Sequence, residues 1–421
     1  MRAVILAGGK GARLAGLRDD IPKPLFPVAG VPVLTRQLTA LKNEGITQIT
    51  VVTCHMSALL EARYGDGRDL GVSLRYYKEP APLGTAGALP LLDLKEDFLL
   101  LNGDLVFDFD LASMLEFHKK HNALATLFAH PNAHPFDSAL LQTEENGRVT
   151  GFLPKEGKPA VYENLCNAGI GILSPALLKD FSPDGPADLD RDLLLLAVST
   201  GRIYAYKSYE YVKDMGTPER LAAVERDVAA GLPRLRRRDR PQRAVFLDRD
   251  GTVNVYRGFI SDPACLELAP GAAAAVRKLN ELGYLAVLAT NQPVVARGLC
   301  DERTLCDIHR RLQTLLGAEG AFLDGIYVCP HHPDKGFPGE APELKIDCDC
   351  RKPKPGLLLR AAAEMHIDLS ASYMVGDTAR DVGTGKNAGC TPVFLRCGKP
   401  EPEPADVAVF DDLAAFVRTL E

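Results

Sequence analysis

The chain has 421 residues, more than one hydrophobic core usually serves, so two domains are expected. Hydrophobic residues at 46% and charged residues at 25% suit a folded protein and exclude wholesale disorder. A net charge of −6 offers no surplus for a polyanion, so no nucleic-acid partner is expected, and no apolar run reaches the roughly 20 residues of a membrane span.

In chain order, strands are predicted at 3–6, 48–53, 97–101 and 123–128, and helices at 33–44, 111–120, 191–199 and 218–229. Apolar strands alternating with amphipathic helices predict a mainly parallel sheet covered on both faces. The first strand runs directly into a glycine turn, which leaves no room for a signal peptide and points to a cytoplasmic protein. Gly231 to Pro241 is basic, bounded by prolines and without an apolar face, and reads as a solvated linker. The same alternation restarts at Ala244. The fold class expected is therefore α/β with two doubly wound domains, at 1–230 and 244–421, joined by a basic linker at 231–243.

Gly8, Gly9 and Gly11 follow the first strand, where backbone amides can close around phosphate. The loop is not a Walker motif, which ends in Gly-Lys-Ser/Thr, and Leu14 stands where a dinucleotide fingerprint needs glycine. Arg13 and Lys23 add cations suited to a triphosphate. A second glycine-rich turn, Glu79 to Gly87, is expected to open a helix. Asp104 ends an apolar strand, at the edge where open α/β sheets bind ligands.

These segments together resemble the sugar-1-phosphate nucleotidyltransferases, most closely the mannose-1-phosphate and heptose-1-phosphate guanylyltransferase branch, across about residues 1–230. The resemblance implies a Rossmann-like domain in which Gly8, Gly9, Gly11 and Arg13 line the triphosphate and Lys23 holds phosphate. It places Gly84 by the sugar or base, Asn167 on the sugar-binding strand, and Asp104 and Asp214 on Mg2+. Ala12 stands where the family usually has threonine. In the implied reaction a sugar-1-phosphate oxygen attacks the α-phosphorus of a nucleoside triphosphate, GTP by the branch, and pyrophosphate leaves in line.

In the second half Ala244 to Leu247 is an apolar strand ending in Asp248 and Asp250, which point to the same side on extended backbone. Asp248 can attack phosphorus while Asp250 protonates the leaving oxygen and later activates water. Thr290 and Asn291 follow another strand, Arg351 and Lys352 precede a helix, and Asp377 and Asp381 follow a third strand. The set resembles the haloacid-dehalogenase-like phosphohydrolases over about residues 243–421. The resemblance implies Asp248 as nucleophile, Asp250 as acid/base, Thr290 and Asn291 as phosphate ligands and Lys352 as the balancing cation. It also implies Mg2+ on Asp248, the Asp250 carbonyl and Asp377, with Asp381 either supporting the metal or capping a helix.

Cys329, Cys348 and Cys350, with either His331 or His332, form a set of thiols and imidazole suited to a closed tetrahedral Zn2+ site, which leaves no position for substrate and is therefore structural. Ten cysteines scattered through a chain without a secretory signal otherwise read as reduced thiols. The loop, with Arg297, resembles the D-glycero-D-manno-heptose-1,7-bisphosphate 7-phosphatases and the related histidinol-phosphate phosphatases, and this resemblance selects His331. Pro293 and Val294 replace small polar residues often found there. Arg297 and Arg351 are expected to engage a distal phosphate of the substrate.

Removal of a C7 phosphate from the bisphosphate yields heptose 1-phosphate, the substrate type of the first half. The expected function is thus bifunctional, with a phosphorylated heptose and GTP as small-molecule partners. Three alternatives differ from it: another sugar-1-phosphate or a histidinol-like substrate, one half acting as a silent regulatory module, and, from the arginine-rich segment, a DNA-end phosphatase.

Overall fold

The computed structural model describes residues 1–9, 21–396 and 401–420, so Gly11 and Arg13 lie outside the described residues. The chain divides into two compact units: Met1–His130, Leu141–Leu153 and Asn167–Arg237 form the first, and Pro131–Leu140, Pro154–Cys166 and Arg238–Glu421 the second.

In the first unit, the parallel strands Ser73–Lys78, Gln48–Thr53, Ala3–Leu6 and Phe98–Asn102 lie side by side. Cys166–Leu173 runs antiparallel beyond them, with Ile170 opposite Leu101. Phe98, Leu99, Leu100 and Leu101 are all buried because layers cover both sheet faces. Helix Val33–Asn43 turns Val33, Leu34, Gln37, Leu38 and Leu41 inward, a stripe at helical spacing that packs on Ile5 and Leu101.

The second unit is built on six parallel strands in the order Gly325–Cys329, Leu285–Asn291, Ala244–Leu247, Tyr373–Gly376, Thr391–Leu395 and Ala408–Phe410. The central strand Ala244–Leu247 is buried throughout. Its neighbours end beside it, so the segments after Leu247, Asn291 and Gly376 converge on one edge of the sheet. Helix Glu302–Ala318 buries Leu305, Ile308, Leu312 and Leu316, and one polar residue, His309, sits inside that apolar stripe.

Several expectations need correction. The expected linker is not a free segment: Leu232–Leu235 is helical, and Leu232 is buried in a cluster with Phe26, Val28 and Val224. Arg236 donates to the Tyr209 carbonyl at 2.8 Å, and Arg237 pairs with Glu44 at 2.7 Å and Asp108 at 2.9 Å. Within the basic run Arg236 and Arg237 are thus held by a carbonyl and two carboxylates of the first unit, while Arg234 and Arg240 are exposed. Residues 191–199 are helical as expected, within an unbroken run that changes type from a π-helix, Leu189–Leu194, through an α-helical turn, Leu195–Ala197, to a 3-10 turn, Val198–Thr200. The turn after Gly84 opens only the 3-10 turn Leu89–Leu91. The segments 131–140 and 154–166, expected in the first domain, belong to the second unit, where Tyr162 N donates to Thr314 Oγ1 at 3.0 Å and Asn164 N to Gln313 Oε1 at 2.8 Å. Among the described residues no helix is long and apolar enough to cross a membrane.

Candidate active sites

The first unit holds a cleft of about 320 Å³ lined by Gly8, Gly9, Lys23, Glu79, Gly84 and Asp104, among others. It lies at the carboxyl ends of Ala3–Leu6 and Phe98–Asn102, and the backbones after both strands are tied together by Gly103 N donating to Leu6 O at 2.9 Å. Gly8 lies close to the Glu79 carboxylate, and a Cβ there would stand 2.6 Å from Glu79 Oε2, so the carboxylate would have to shift. Gly84 has φ +78°, and a Cβ would meet the Ala187 carbonyl oxygen at 2.4 Å. Lys23 Nζ donates to Asp104 Oδ2 at 2.6 Å, so these two expected ligands of phosphate and metal face each other.

Asp214 lies opposite Leu105 in a two-stranded ladder, and Met215 N donates to Asp104 O at 3.1 Å, which brings the two expected metal carboxylates to neighbouring backbone positions. The Asp214 carboxylate accepts from Gly216 N at 2.8 Å and Arg220 at 3.1 Å. Neither Asp214 nor Asn167 is a lining residue of the cleft. Asn167 Nδ2 donates instead to Asp190 Oδ1 at 2.8 Å. The sequence reading missed Glu79. It is 5% exposed, burial pushes its carboxyl pKa up, and its Oε1 has no hydrogen-bond partner.

The second unit's cleft, about 270 Å³, gathers Asp248, Asp250, Asn291, Lys352, Asp377 and Asp381. Lys352 Nζ lies 2.8 Å from Asp248 Oδ1 and 2.5 Å from Asp381 Oδ1. Burial would push the ammonium pKa down, but the two carboxylates hold it above the ordinary lysine value. Asn291 and Lys352 are locked by a reciprocal pair, Nδ2 to the lysine carbonyl at 3.1 Å and the lysine N–H to Oδ1 at 3.0 Å. Asp381 Oδ2 accepts from Thr378 N at 3.1 Å and Oγ1 at 2.6 Å, so it caps helix Ala379–Ala388 while facing Lys352 with its other oxygen. Carboxylate oxygens of Asp248, Asp377 and Asp381 all lie within 4.8 Å of one another. Thr290, an expected phosphate ligand, is buried below the cleft lining, and its hydroxyl accepts from Gln292 at 3.0 Å.

Arg297 stacks between the rings of Phe259, at 4.6 Å, and Phe337, at 4.3 Å, and its Nη2 is 3.1 Å from His332 Nε2. Arg351 donates to the His331 carbonyl at 3.0 Å. Both arginines line the cleft.

Next to this edge the metal-type cluster closes. Strand pairing sets Asn291 beside Cys329, and Gln292 N donates to the Cys329 carbonyl at 2.8 Å. Cys329 Sγ is 3.5 Å from Cys348 Sγ and 3.7 Å from His331 Nδ1, and Cys350 Sγ is 3.3 Å from Cys348 Sγ and 3.4 Å from His331 Nδ1. These separations are far longer than a disulfide and match the edges of a tetrahedron about one ion. Hydrogen bonds from Cys329 and Cys348, with His331 beside it, pull the Cys350 pKa down to about 5, while Cys329 is pushed up by sharing its proton with Cys350 and by burial. One thiolate surrounded by thiols is the proton-sharing state of a set built to lose its protons to a metal.

The nucleotidyl transferase family model matches residues 2–231. The chain belongs to the nucleotidyl transferase family. A HAD-hydrolase-like model matches residues 349–416, so the nucleotidyl transferase part is followed by a second, HAD-like part. That second part is 42% identical, over 42% of this chain and 95% of the relative, to the D-glycero-beta-D-manno-heptose-1,7-bisphosphate 7-phosphatase of Yersinia pestis, and it belongs to that phosphatase family. The nucleotidyl transferase part is 34% identical to the mannose-1-phosphate guanylyltransferase of Mycobacterium tuberculosis, over 55% of this chain and 65% of the relative. Among solved structures, the D,D-heptose 1.7-bisphosphate phosphatase of B. bronchiseptica with magnesium and phosphate is 34% identical over 42% of this chain and 97% of its own, with a TM-score of 0.38. The chain therefore joins a nucleotidyltransferase and a HAD-like phosphatase, both of them enzyme families.

Proposed function

We propose that this chain removes the C7 phosphate of D-glycero-D-manno-heptose 1,7-bisphosphate and then transfers a guanylyl group from GTP to the resulting heptose 1-phosphate. The observation that carries the reading is the second cleft, where a nucleophile-type aspartate on a buried lysine lies in the same cleft as two arginines. Asp248 Oδ attacks the C7 phosphorus as the bond to the sugar oxygen breaks, and that oxygen takes a proton from the Asp250 carboxyl. Water then attacks the aspartyl phosphate and gives its proton back to Asp250. Lys352 offsets phosphoryl charge, and Arg297 and Arg351 hold the distal C1 phosphate by charge-assisted hydrogen bonds. This assigns Asn291 to the phosphate and keeps Thr290 behind it as support.

In the first cleft Gly8, Gly9 and Lys23, with Gly11 and Arg13, hold the triphosphate and Gly84 serves the sugar side, while Asn167, outside the cleft lining and bonded to Asp190, would have to leave that bond to reach the sugar. Glu79 supports guanine as the base: burial pushes its pKa up, and guanine alone among the common bases presents two adjacent donors, N1–H and the N2 amine, that would favour its ionised, accepting form. Magnesium at Asp104 and Asp214, and at Asp248, Asp377 and the Asp250 carbonyl, supplies positive charge to the reacting phosphates. Asp104 and Asp214 each already hold a cationic side chain, which fits a place for positive charge. Cys329, His331, Cys348 and Cys350 hold a structural zinc that braces the loop carrying Arg351. Cysteines kept for a metal and a nucleoside triphosphate substrate support a cytoplasmic enzyme. The domains are proposed at 1–230 and 244–421, except that 131–140 and 154–166 belong to the second.

The test is the purified chain with heptose 1,7-bisphosphate and each of the four nucleoside triphosphates. Phosphate is expected before pyrophosphate, with GTP preferred, and Glu79→Gln is expected to cut that preference roughly 10- to 100-fold. Equal use of all four triphosphates would remove the guanine assignment, and pyrophosphate ahead of phosphate would reverse the order.

A further inference from the structure

Resting on the phosphatase reading, the second cleft raises a question that the paired aspartates alone do not answer. Asp248 and Asp250 stand one residue apart on the same side of one strand end, yet their tasks differ, and each would compete for the nearest cation. The structure gives each its own. Lys352 Nζ is 2.8 Å from Asp248 Oδ1. Arg249 Nη2 is 3.0 Å from both oxygens of Asp250, and its Nε is 3.3 Å from Oδ1. Asn254 Nδ2 adds a bond to Oδ1 at 3.0 Å and Gln292 Nε2 one to Oδ2 at 2.7 Å.

Arg249 is 0% exposed, the largest fully buried side chain among the described residues. Its other terminal nitrogen, Nη1, is 3.4 Å from Nε2 of His309, the polar residue in the apolar stripe of helix Glu302–Ala318. A guanidinium only donates, so Nε2 accepts and the imidazole is uncharged. Burial and the Arg249 charge push the His309 pKa down to about 3, in agreement. An uncharged acceptor here satisfies the far nitrogen without competing for the charge. A carboxylate in the same place would satisfy it more strongly and draw the guanidinium off Asp250.

We infer that Arg249, held from behind by His309, is a positioning residue that keeps the Asp250 carboxylate away from Lys352 and aimed for proton transfer. Neither residue lines the cleft, so the pair acts through Asp250.

The experiment compares the full chain with His309→Gln and His309→Glu on heptose 1,7-bisphosphate and on 4-nitrophenyl phosphate. Glutamine keeps an uncharged acceptor, and turnover of both substrates is expected near the parent's. Glutamate is expected to leave thermal stability equal or higher while kcat on the sugar phosphate falls about 100-fold or more, with KM little changed. On the aryl phosphate, 4-nitrophenolate leaves without needing a proton as Asp248 takes the phosphoryl group, but hydrolysis of the aspartyl phosphate still needs Asp250 as base. A burst of one nitrophenolate per chain followed by slow turnover is therefore expected. Parent rates in His309→Glu, or equal losses on both substrates without a burst, would overturn the inference by reducing the pair to a structural tie. If His309→Glu does not fold, Arg249→Lys carries the same comparison, with the burst expected and equal losses overturning it. Failure of the phosphatase reading itself is distinct, because the parent would then release no phosphate from the bisphosphate.

Discussion

The two clefts solve the same problem, handling phosphate with carboxylates and cations, in different states of assembly. In the second, the acids are already sorted: Asp248 and Asp381 on Lys352, and Asp250 on Arg249. In the first, Lys23 and Asp104 face each other at 2.6 Å, so on the proposed function the two must part before the lysine meets phosphate or the acid a metal. On the proposed function both clefts take a metal, and the difference is that the acids of the second are already separated on their own cations, as a covalent step on Asp248 would need.

The sharpest way to separate the clefts is Asp248→Asn. It removes the nucleophile, and phosphate release from the bisphosphate is expected to fall roughly 10⁴-fold or more while pyrophosphate formation from supplied heptose 1-phosphate stays at the parent rate. Parent-rate phosphate release would break the assignment. The reciprocal variants, Asp104→Ala and Asp214→Ala, leave cations without their carboxylates and are expected to lower pyrophosphate formation about 10²- to 10³-fold with the phosphatase unchanged. Normal pyrophosphate formation in both would show that the first cleft does not work through these acids. Cys348→Ser comes next in size. Purified parent protein is expected to carry one zinc per chain, the variant none, and phosphatase activity is expected to drop about 10- to 100-fold with the transferase spared, since Cys329 is tied to Gln292 and Arg351 to His331. A zinc-free parent would sink the metal and leave only the thiol cluster.

The two clefts also differed in how far the sequence foretold them. The strand-end motifs of the second half were legible because a parallel sheet brings the ends of adjacent strands together, and Asp248, Lys352, Asp377 and Asp381 meet where the strands of residues 244–247 and 373–376 end. The closing of Cys329, His331, Cys348 and Cys350 was legible for the same reason, since short spacing and one strand neighbour suffice. What escaped was polarity decided by tertiary burial. Glu79 reads locally as a turn residue, and only the approach of Gly8 shows that it lies sealed at the cleft. Arg249 reads as a spacer between two aspartates, although an obligate cation ahead of a glycine turn and a lone histidine in an apolar stripe were signals available to a closer reading. The basic run at 234–240 looked solvated because charge complementarity with Glu44 and Asp108 lies about 190 and 130 residues away in sequence, beyond local pattern.

The smallest expected effect bears on the second unit's stability. The His309 imidazole, ordinarily near 6.5, is held at about 3 by burial and by Arg249 beside it. In the unfolded chain it takes up a proton as the pH falls below 6.5, while in the folded chain it does so only near 3. Between those values the unfolded state binds more protons, so falling pH removes stability, and nothing changes above 6.5. The slope is about 1.4 kcal/mol per pH unit, or about 2 kcal/mol lost by pH 5. Hydrogen exchange within helix Glu302–Ala318 reads this locally, and protection is expected to fall from pH 7 to 5 after correction for the intrinsic exchange rate. His332, whose pKa is also pushed down, by burial first and then by Arg351 and Arg297, stays in place when His309→Gln is made, so the difference between parent and variant isolates His309. A parent and variant with the same acid slope would mean that His309 is protonated in the folded chain. The arrangement that separates Asp250 from Lys352 would then need another acceptor behind Arg249.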